Sequence, residues 1–256
     1  MSKKVFLNEF SALEVRQLLE HKEDVVAIVP FGSCESHGWH CPLGPDYFVP
    51  MEAARRVAQR LENVIVAPCL PYGTSMHYNQ FPLSLTLRFE TVQAVAEDVL
   101  ESLIFHGITH LYLLNGHDGN IPALEIAARN VKNRHKEARI LFLPAWWEKV
   151  GPIMGDRFEV WGGLGHGGEG ETSIMMAVRP DLVDLSKAEA QVPQAVIEMD
   201  KASIIWDIAE ITKTGATGDP TKASREKGGQ MLEILTDLIA DAITGMRAQG
   251  WDYRTK

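Results

Sequence analysis

Cysteine is scarce in this chain: 256 residues contain Cys34, Cys41 and Cys69, and no two of them form a C-x-x-C pair. An odd, unpaired set excludes a disulfide framework and a cysteine zinc knuckle, and leaves reduced thiols as the expectation. Basic runs are missing too. With 25 Lys and Arg against 34 Asp and Glu, the formal net charge is −9, and no stretch could track a phosphate backbone, so nucleic acid is not an expected partner. No apolar run approaches the roughly 20 residues that span a bilayer, and the opening "MSKKVFLNEFSALEVRQ" lacks a signal-peptide apolar core. No membrane association is expected, and the expected location is cytoplasmic. Linkers, repeats and low-complexity tracts are also absent, which favours one domain over residues 1–256.

What is present is an ordinary globular composition, 45% hydrophobic and 23% charged, in which apolar β-rich runs alternate with helical patterns. That alternation predicts an α/β fold on a mainly parallel sheet. "SALE" reads as a capping box, Ser11 capping the first turn and Glu14 reaching back, for a helix to about Glu20. Strands are expected at "VVAIVPFG", "VIVAPCLPYG", "ITHLYLLNG" and "ARILFLPAWW". Helices are expected from about Pro50 to Leu61, from Thr91 to His106, from near Ile121, and from about Lys222 to Arg247, the last covering one face of the sheet.

Three of those strands pass into polar, glycine-containing turns: "PFGSCESHGWH", "PCLPYGTSMHYN" and "LLNGHDGN". Ligands of open α/β sheets bind outside the carboxyl ends of strands, so these turns should converge on one site. If the chain stays extended past Gly32, Glu35 and His37 project to the same face and offer a carboxylate and an imidazole to one point. Cys34 would then point to the opposite face, and core packing is expected for it and for Cys69. The glycines and prolines of "GWHCPLGP" can fold the chain back to bring in Asp46, whose two oxygens could bridge two ions. His117 arrives between Gly116 and Asp118. A fourth segment, "GLGHGGEGETSIMMAVRP", supplies His166 and two carboxylates, Glu169 and Glu171. Glu171 is preferred, because a helix start positions a ligand better than a glycine-rich loop.

Mixed oxygen and nitrogen ligation without thiolate suits Zn²⁺, Mn²⁺ or Fe²⁺. A shared carboxylate would hold two divalent ions, and a water between them would be acidified at neutral pH, so hydrolysis is the natural reaction. Taken singly, each of these residues is better explained as a solvated carboxylate or a histidine bonded to backbone. His21, His106, His110 and His135 keep that reading, and only the constellation argues for metal. His40 is open between partner of a ligand and pocket rim. Two other classes compete with the metal hydrolase: a non-catalytic metal-binding scaffold, with no room beside the ions, and a thiol enzyme using Cys34 or Cys41.

The motifs resemble those of the creatininase family, whose members carry a G-S-x-E-x-H-G-x-H-L-P-x-x-x-D-like loop, a P-x-x-Y-G-x-S segment, an N-G-H-x-G-N turn and a late H-x-G-x-x-E-T-S stretch. Here they stand as "GSCESHGWHCPLGPD", "PCLPYGTSMHYNQFP", "NGHDGN" and "HGGEGETS", and "GATGDPTKASREKG" is similar to the family's closing G-x-x-G-D-P segment. The resemblance implies a three-layer αβα sandwich, a two-metal site and commonly a homohexamer. It implies Glu35 and His117 as ligands of one ion, His37 as ligand of the other, and Asp46 as bridge. The family's namesake carries a ligand glutamate two residues after the histidine, where this chain has Gly119. Glu171 is the implied substitute, as metal ligand and catalytic candidate, and His166 matches the histidine that handles the leaving-group proton.

Departures from the family bear on substrate. "VWGGLGH" puts Gly162 and Gly163 where the namesake has a Trp-Asp pair, with Trp161 displaced by one, and "FPLSLTL" replaces F-P-G-T, so a changed pocket wall is expected at Phe81 to Leu85. Trp39, Trp146, Trp147 and Trp161 are candidates to line a pocket over a flat small molecule, and Ser75, His77 and Asp118 are candidate substrate contacts. The expected reaction is hydrolysis of a C–N amide bond in a cyclic amide or formamide; hydrolytic ring opening of a cyclic polyol ketone is the alternative.

Overall fold

The structure, a computed structural model, describes residues 3–163, 165–193 and 204–253. Four strands, β1 (Val26–Phe31), β2 (Val64–Val66), β3 (His110–Asn115) and β4 (Arg139–Leu143), form a sheet in the order β2-β1-β3-β4. All three pairings are parallel, with Val26 opposite Val64 and His110, and His110 opposite Arg139. Each crossover is helical: α2 (Pro45–Arg60), α3 (Phe89–Phe105) and α4 (Ile121–Arg134). The short α1 (Ala12–Leu18) precedes β1 and is closed by the expected capping box, since Ser11 accepts from the Glu14 N–H and Glu14 accepts from the Ser11 N–H.

All six β1 residues are buried, so its side chains must fill a core on both faces. Val26 and Ile28 pack with Val49, Ala53 and Val57 of α2 and with Leu232, Leu235 and Ile239 of the C-terminal helix α7 (Arg225–Ala248). Ala27, Val29 and Phe31 point the other way, onto Val92, Ala96 and Leu100 of α3 and Leu124, Ala127 and Val131 of α4. The result is the expected αβα sandwich. Two more helices complete it, α5 (Trp146–Met154) and α6 (Glu169–Val178), α6 packing along α7. Among the described residues no helix is long and apolar enough to cross a membrane.

Three boundaries differ from the sequence expectation, the simplest being "ARILFLPAWW", whose strand ends at Leu143 while Trp146 and Trp147 open α5. The helix expected from Pro50 starts at Pro45, with Pro50 inside it. Gly44 makes the turn, Pro45 sits where the missing N–H costs nothing, and Pro50 leaves the Asp46 carbonyl without its helical donor. Asp46 therefore stands in a helix's first turn, where its charge is favoured by the helix dipole. The strand "VIVAPCLPYG" is regular only over Val64–Val66; beyond it the chain touches the sheet through a single bridge from Leu70 to Phe31, and Gly73 bridges Thr86 outside the sheet. Its prolines Pro68 and Pro71 supply no N–H for a longer ladder.

Candidate functional site

The strand-end turns converge at the carboxyl edge of the sheet, and two asparagines tie them together. Asn120 donates to the Gly32 carbonyl at 3.0 Å and accepts from the Thr74 N–H at 2.9 Å, joining all three turns. Asn115 accepts from the His117 N–H at 3.2 Å and donates to the Pro144 carbonyl at 2.8 Å. The glycines make room for this contact. A Cβ on Gly116 would lie 2.2 Å from the Asp46 carbonyl oxygen, and one on Gly119 2.1 Å from that of Thr74. No glutamate could stand at position 119 without displacing that turn.

Glu35, His37, Asp46 and His117 lie side by side, each at most 4% exposed. Asp46 divides its oxygens: Oδ1 is 3.2 Å from His37 Nε2 and Oδ2 is 3.2 Å from His117 Nδ1. Glu35 Oε1 lies 3.3 Å from the same His117 Nδ1, and Glu171 Oε2 lies 3.8 Å from His37 Nε2. Two triads result, Glu35–Asp46–His117 and His37–Asp46–Glu171, with the offered atoms of each within 4.8 Å of one another. A third, Glu35–His37–His166, overlaps both.

Each histidine has one ring nitrogen tied to a backbone carbonyl and the other turned toward the carboxylates. His37 Nδ1 donates to the Glu35 carbonyl at 3.1 Å and His117 Nε2 donates to the Thr74 carbonyl at 3.0 Å, which fixes the tautomers and leaves the opposite nitrogens for the carboxylates. Glu35 Oε1 and Asp46 Oδ2 are buried with no well-aligned hydrogen bond, and His117 Nδ1 is the nearest nitrogen to both. Buried carboxylate oxygens need a donor or a cation, and both face His117 Nδ1, which can carry a proton in metal-free protein or turn a lone pair to a cation. The donor set thus fits a divalent cation.

Charge at this cluster is strongly coupled. Burial pushes the Glu35 carboxyl up to about 7 despite His117. Burial opposes a charged His37, but the Asp46 carboxylate outweighs it and raises the ring to about 10. His117 is raised to about 9, burial again losing to Glu35 and Asp46. Asp46, penalised by burial, is held far below the usual carboxylate range by the two histidines. Glu171 is raised by burial.

The two late glutamates separate cleanly, though not for the reason the sequence suggested. Both belong to α6, so helix against loop does not distinguish them. Glu169 is fully buried on the opposite side, 2.7 Å from Lys227 Nζ and accepting from the Glu159 and Val160 N–H groups. Glu171 accepts from the Gly167 N–H at 2.6 Å and faces His37. His166 Nε2 donates to the Ser36 carbonyl at 2.6 Å, and its Nδ1 is 4.0 Å from Glu171 Oε2. Burial and the neighbouring His37 hold His166 well below the ordinary histidine range, as a neutral ring.

His40 is neither ligand nor rim. Its Nε2 meets Thr172 Oγ1 at 2.8 Å, and Thr172 donates to the Gly167 carbonyl, so His40 ties its loop to the start of α6. Ser75 lies behind the carboxylate layer, fully buried and 2.6 Å from Ser33 Oγ, rather than in the cavity wall; Ser33 in turn donates to Glu35 Oε2 at 3.2 Å. Ser33, Asn115 and Asn120 were missed by sequence reading, and the polar residues at strand ends beside Glu35 and His117 were the available signal.

Beside the cluster opens a cavity of about 350 Å³, whose wall includes Glu35, Asp46, His117, His166 and Glu171. Facing them are His77, Tyr78, Asp118, Trp146, Trp147, Trp161 and Trp206. Trp39 does not line it; its side chain is 59% exposed elsewhere. Phe81 to Leu85 are not among its lining residues either: Leu85 bridges Cys34, and Leu83 is exposed. Trp206 was not anticipated, since it falls in a segment without a motif. Gly162 has open space where a side chain would project. The thiols are held in the protonated form: burial pushes Cys41 up to about 12 and raises Cys34, against the thiol-enzyme reading.

Comparison with known proteins agrees with this geometry. Residues 8–243 match the family model "Creatininase: Creatinine amidohydrolase". Creatinine amidohydrolase of Pseudomonas putida is 32% identical over 95% of this chain and 97% of its own, and the mycofactocin precursor peptide peptidase of Mycobacterium ulcerans is 25% identical over 85% and 82%. Among solved structures, creatininase with manganese superposes with a TM-score of 0.83 at 28% identity, covering 96% of this chain and 99% of that one. A mutant creatininase of Zn-Zn type gives 0.83 at 28% identity, covering 97% and 99%. This chain belongs to the creatininase family.

Proposed function

We propose that the protein is a two-metal hydrolase that cleaves a C–N amide bond in a small molecule, a cyclic amide or formamide. The observation that carries this reading is the division of Asp46 between two histidines, with Glu35 and Asp46 buried together and Glu35 Oε1 and Asp46 Oδ2 both turned to His117 Nδ1. Glu35, Asp46 and His117 would hold one ion and His37, Asp46 and Glu171 the other, and the metals would supply an acidified water and a polarised carbonyl. The creatininase structures of Mn and Zn-Zn type support the choice of divalent metal.

The chain's own residues then divide the remaining work. A water oxygen bonds to the carbonyl carbon, the C–N bond breaks, and the proton lost by the water must reach the departing nitrogen. Neutral His166, with Nε2–H committed to Ser36 and Nδ1 free toward Glu171, is placed to accept that proton and release it to nitrogen. Trp147, Trp161 and Trp206 form an apolar wall that excludes bulk water and stacks on a planar substrate. The cavity beside the ligands also speaks for catalysis over scaffolding, since a purely structural site has no use for that room.

Elemental analysis tests the first half: purified protein supplied with Zn²⁺ or Mn²⁺ should hold two ions per chain, and none would end the metal reading. A hydrolysis screen of the loaded protein against cyclic amides, formamides and cyclic polyol ketones tests the second. Turnover of the ketone alone would replace amide hydrolysis with ring opening.

A further inference from the structure

Tyr78 carries a polar group that neither the ligand set nor the proton relay uses. Its ring is packed from three sides, 4.4 Å from the His166 ring, 4.6 Å from His77 and 6.5 Å from Phe81, centroid to centroid. The residue is only 2% exposed, and its backbone N–H donates to the Ser75 carbonyl at 2.9 Å, so it sits on the same frame that holds Ser33 and Glu35. Tyr78 also forms part of the cavity wall. Buried tyrosine hydroxyls ordinarily find a partner. The hydroxyl of Tyr78 hydrogen-bonds to none of the described residues.

We propose that the Tyr78 hydroxyl is the oxyanion donor of this site, giving a hydrogen bond to the substrate carbonyl oxygen that strengthens as water adds to the carbon. The inference rests on the amide-hydrolase reading above. A rigid, water-shielded donor acts on charge that develops only in the transition state, which is where such a bond raises rate rather than affinity. Burial, the largest cause, raises the phenol above its ordinary range in the metal-free protein.

The test is Tyr78→Phe, which keeps the ring against His166 and removes only the oxygen. Metal content by elemental analysis should equal that of the unaltered protein. For the best amide found by the screen, kcat should fall roughly 10²-fold with KM within about threefold, and the pH profile should drop in height without changing shape. A second readout needs no turnover: a phenylboronic acid, which becomes tetrahedral in the site, should bind roughly 10²-fold more weakly to the variant, while an unreactive planar lactam binds equally to both. An unchanged kcat, or equal boronate affinity, overturns the assignment. An equal loss of boronate and lactam affinity also overturns it, by showing that the oxygen only shapes the pocket. If the screen finds no amide substrate but the boronate difference appears, the reaction reading fails and the tyrosine donor stands.

Discussion

The two walls of the cavity are built on opposite principles. On one side Glu35, His37, Asp46 and His117 are almost wholly buried, and each sits on a strand-end turn or helix start. Their orientations are fixed by backbone carbonyls and by Asn115 and Asn120. On the other side, Trp147 sits on α5, Asp118 is solvent-exposed, and Trp161 and Trp206 lie in irregular segments. Trp161 holds a φ of 51° and is followed by Gly162 at 62°, backbone that the sheet does not impose. The contrast teaches where each property can change. The buried acids and histidines are anchored to the sheet, where one displaced atom disturbs several contacts, whereas the aromatic wall is carried by segments outside the sheet, which can vary without moving that cluster.

The largest effect should come from the centre of the rigid wall. Asp46→Ala removes the one group that both histidines share, leaving His37 and His117 without their nearest acid. Both ions should be lost, and with them roughly 10³-fold or more in turnover, as the several kcal/mol a metal contributes would imply. Elemental analysis of this variant with a full complement of metal would break the comparison outright. His166→Ala tests the boundary between the walls. It should keep both ions and lower kcat by roughly 10²- to 10⁴-fold, the range for a positioned acid–base group; loss of metal would move His166 into the ligand set.

How much of this division was legible beforehand follows from the physics of each wall. Glu35, His37, Asp46 and His117 stood out because their chemistry forces rare side chains into glycine-rich strand ends, and period two along an extended chain put Glu35 and His37 on one face. The sheet was equally legible, since β1 is apolar at every position and only a doubly covered parallel strand needs that. Trp206 was invisible because nothing local distinguishes a pocket tryptophan from a core one; its place beside the cavity rests on contact with a residue distant in sequence, His77, whose ring lies 6.1 Å away. Ser75 was read into the pocket because sequence gives no depth, and only the 2.6 Å contact with Ser33 shows it behind the carboxylates. Pro50 marked the wrong helix boundary because a proline is tolerated inside a helix whose freed carbonyl, that of Asp46, abuts glycines.

A smaller perturbation probes the rigid wall indirectly. Gly116→Ala would put a methyl carbon 2.2 Å from the Asp46 carbonyl oxygen, so the start of α2 must move. Overpacking of this kind costs about 1–3 kcal/mol, read as a lower melting temperature, and metal affinity should fall by roughly tenfold although no ligand is changed. The matching change on the aromatic wall is Trp206→Ala. Ion content and melting temperature should hold while KM rises by about tenfold, consistent with loss of one aromatic contact of roughly 1 kcal/mol. A fall in metal content here would mean that the walls are not separable.

The mildest probe is pH, and it reads the rigid wall alone. In chelated protein His37 and His117 are raised to about 10 and about 9, above the ordinary histidine value of 6.5. Groups raised on folding stabilise the folded state fully below their unfolded value and lose that contribution as pH climbs through the folded one. Between pH 7 and 8.5 the unfolded histidines are already neutral while the folded pair still hold protons, so the slope is about −1 kcal/mol per histidine per pH unit. Glu35, raised to about 7 by burial, acts in the same direction below that pH. In metal-loaded protein the same two nitrogens face the ions and have no proton to lose, so the slope should flatten. Melting curves of chelated and Zn²⁺-loaded protein should therefore diverge as pH rises from 7 to 8.5, by about 2–4 °C for each kcal/mol in a chain of this size. Trp206→Ala should leave that divergence untouched, and Asp46→Ala should abolish it; parallel curves in the unaltered protein would show that the buried histidines are not where proton and metal compete.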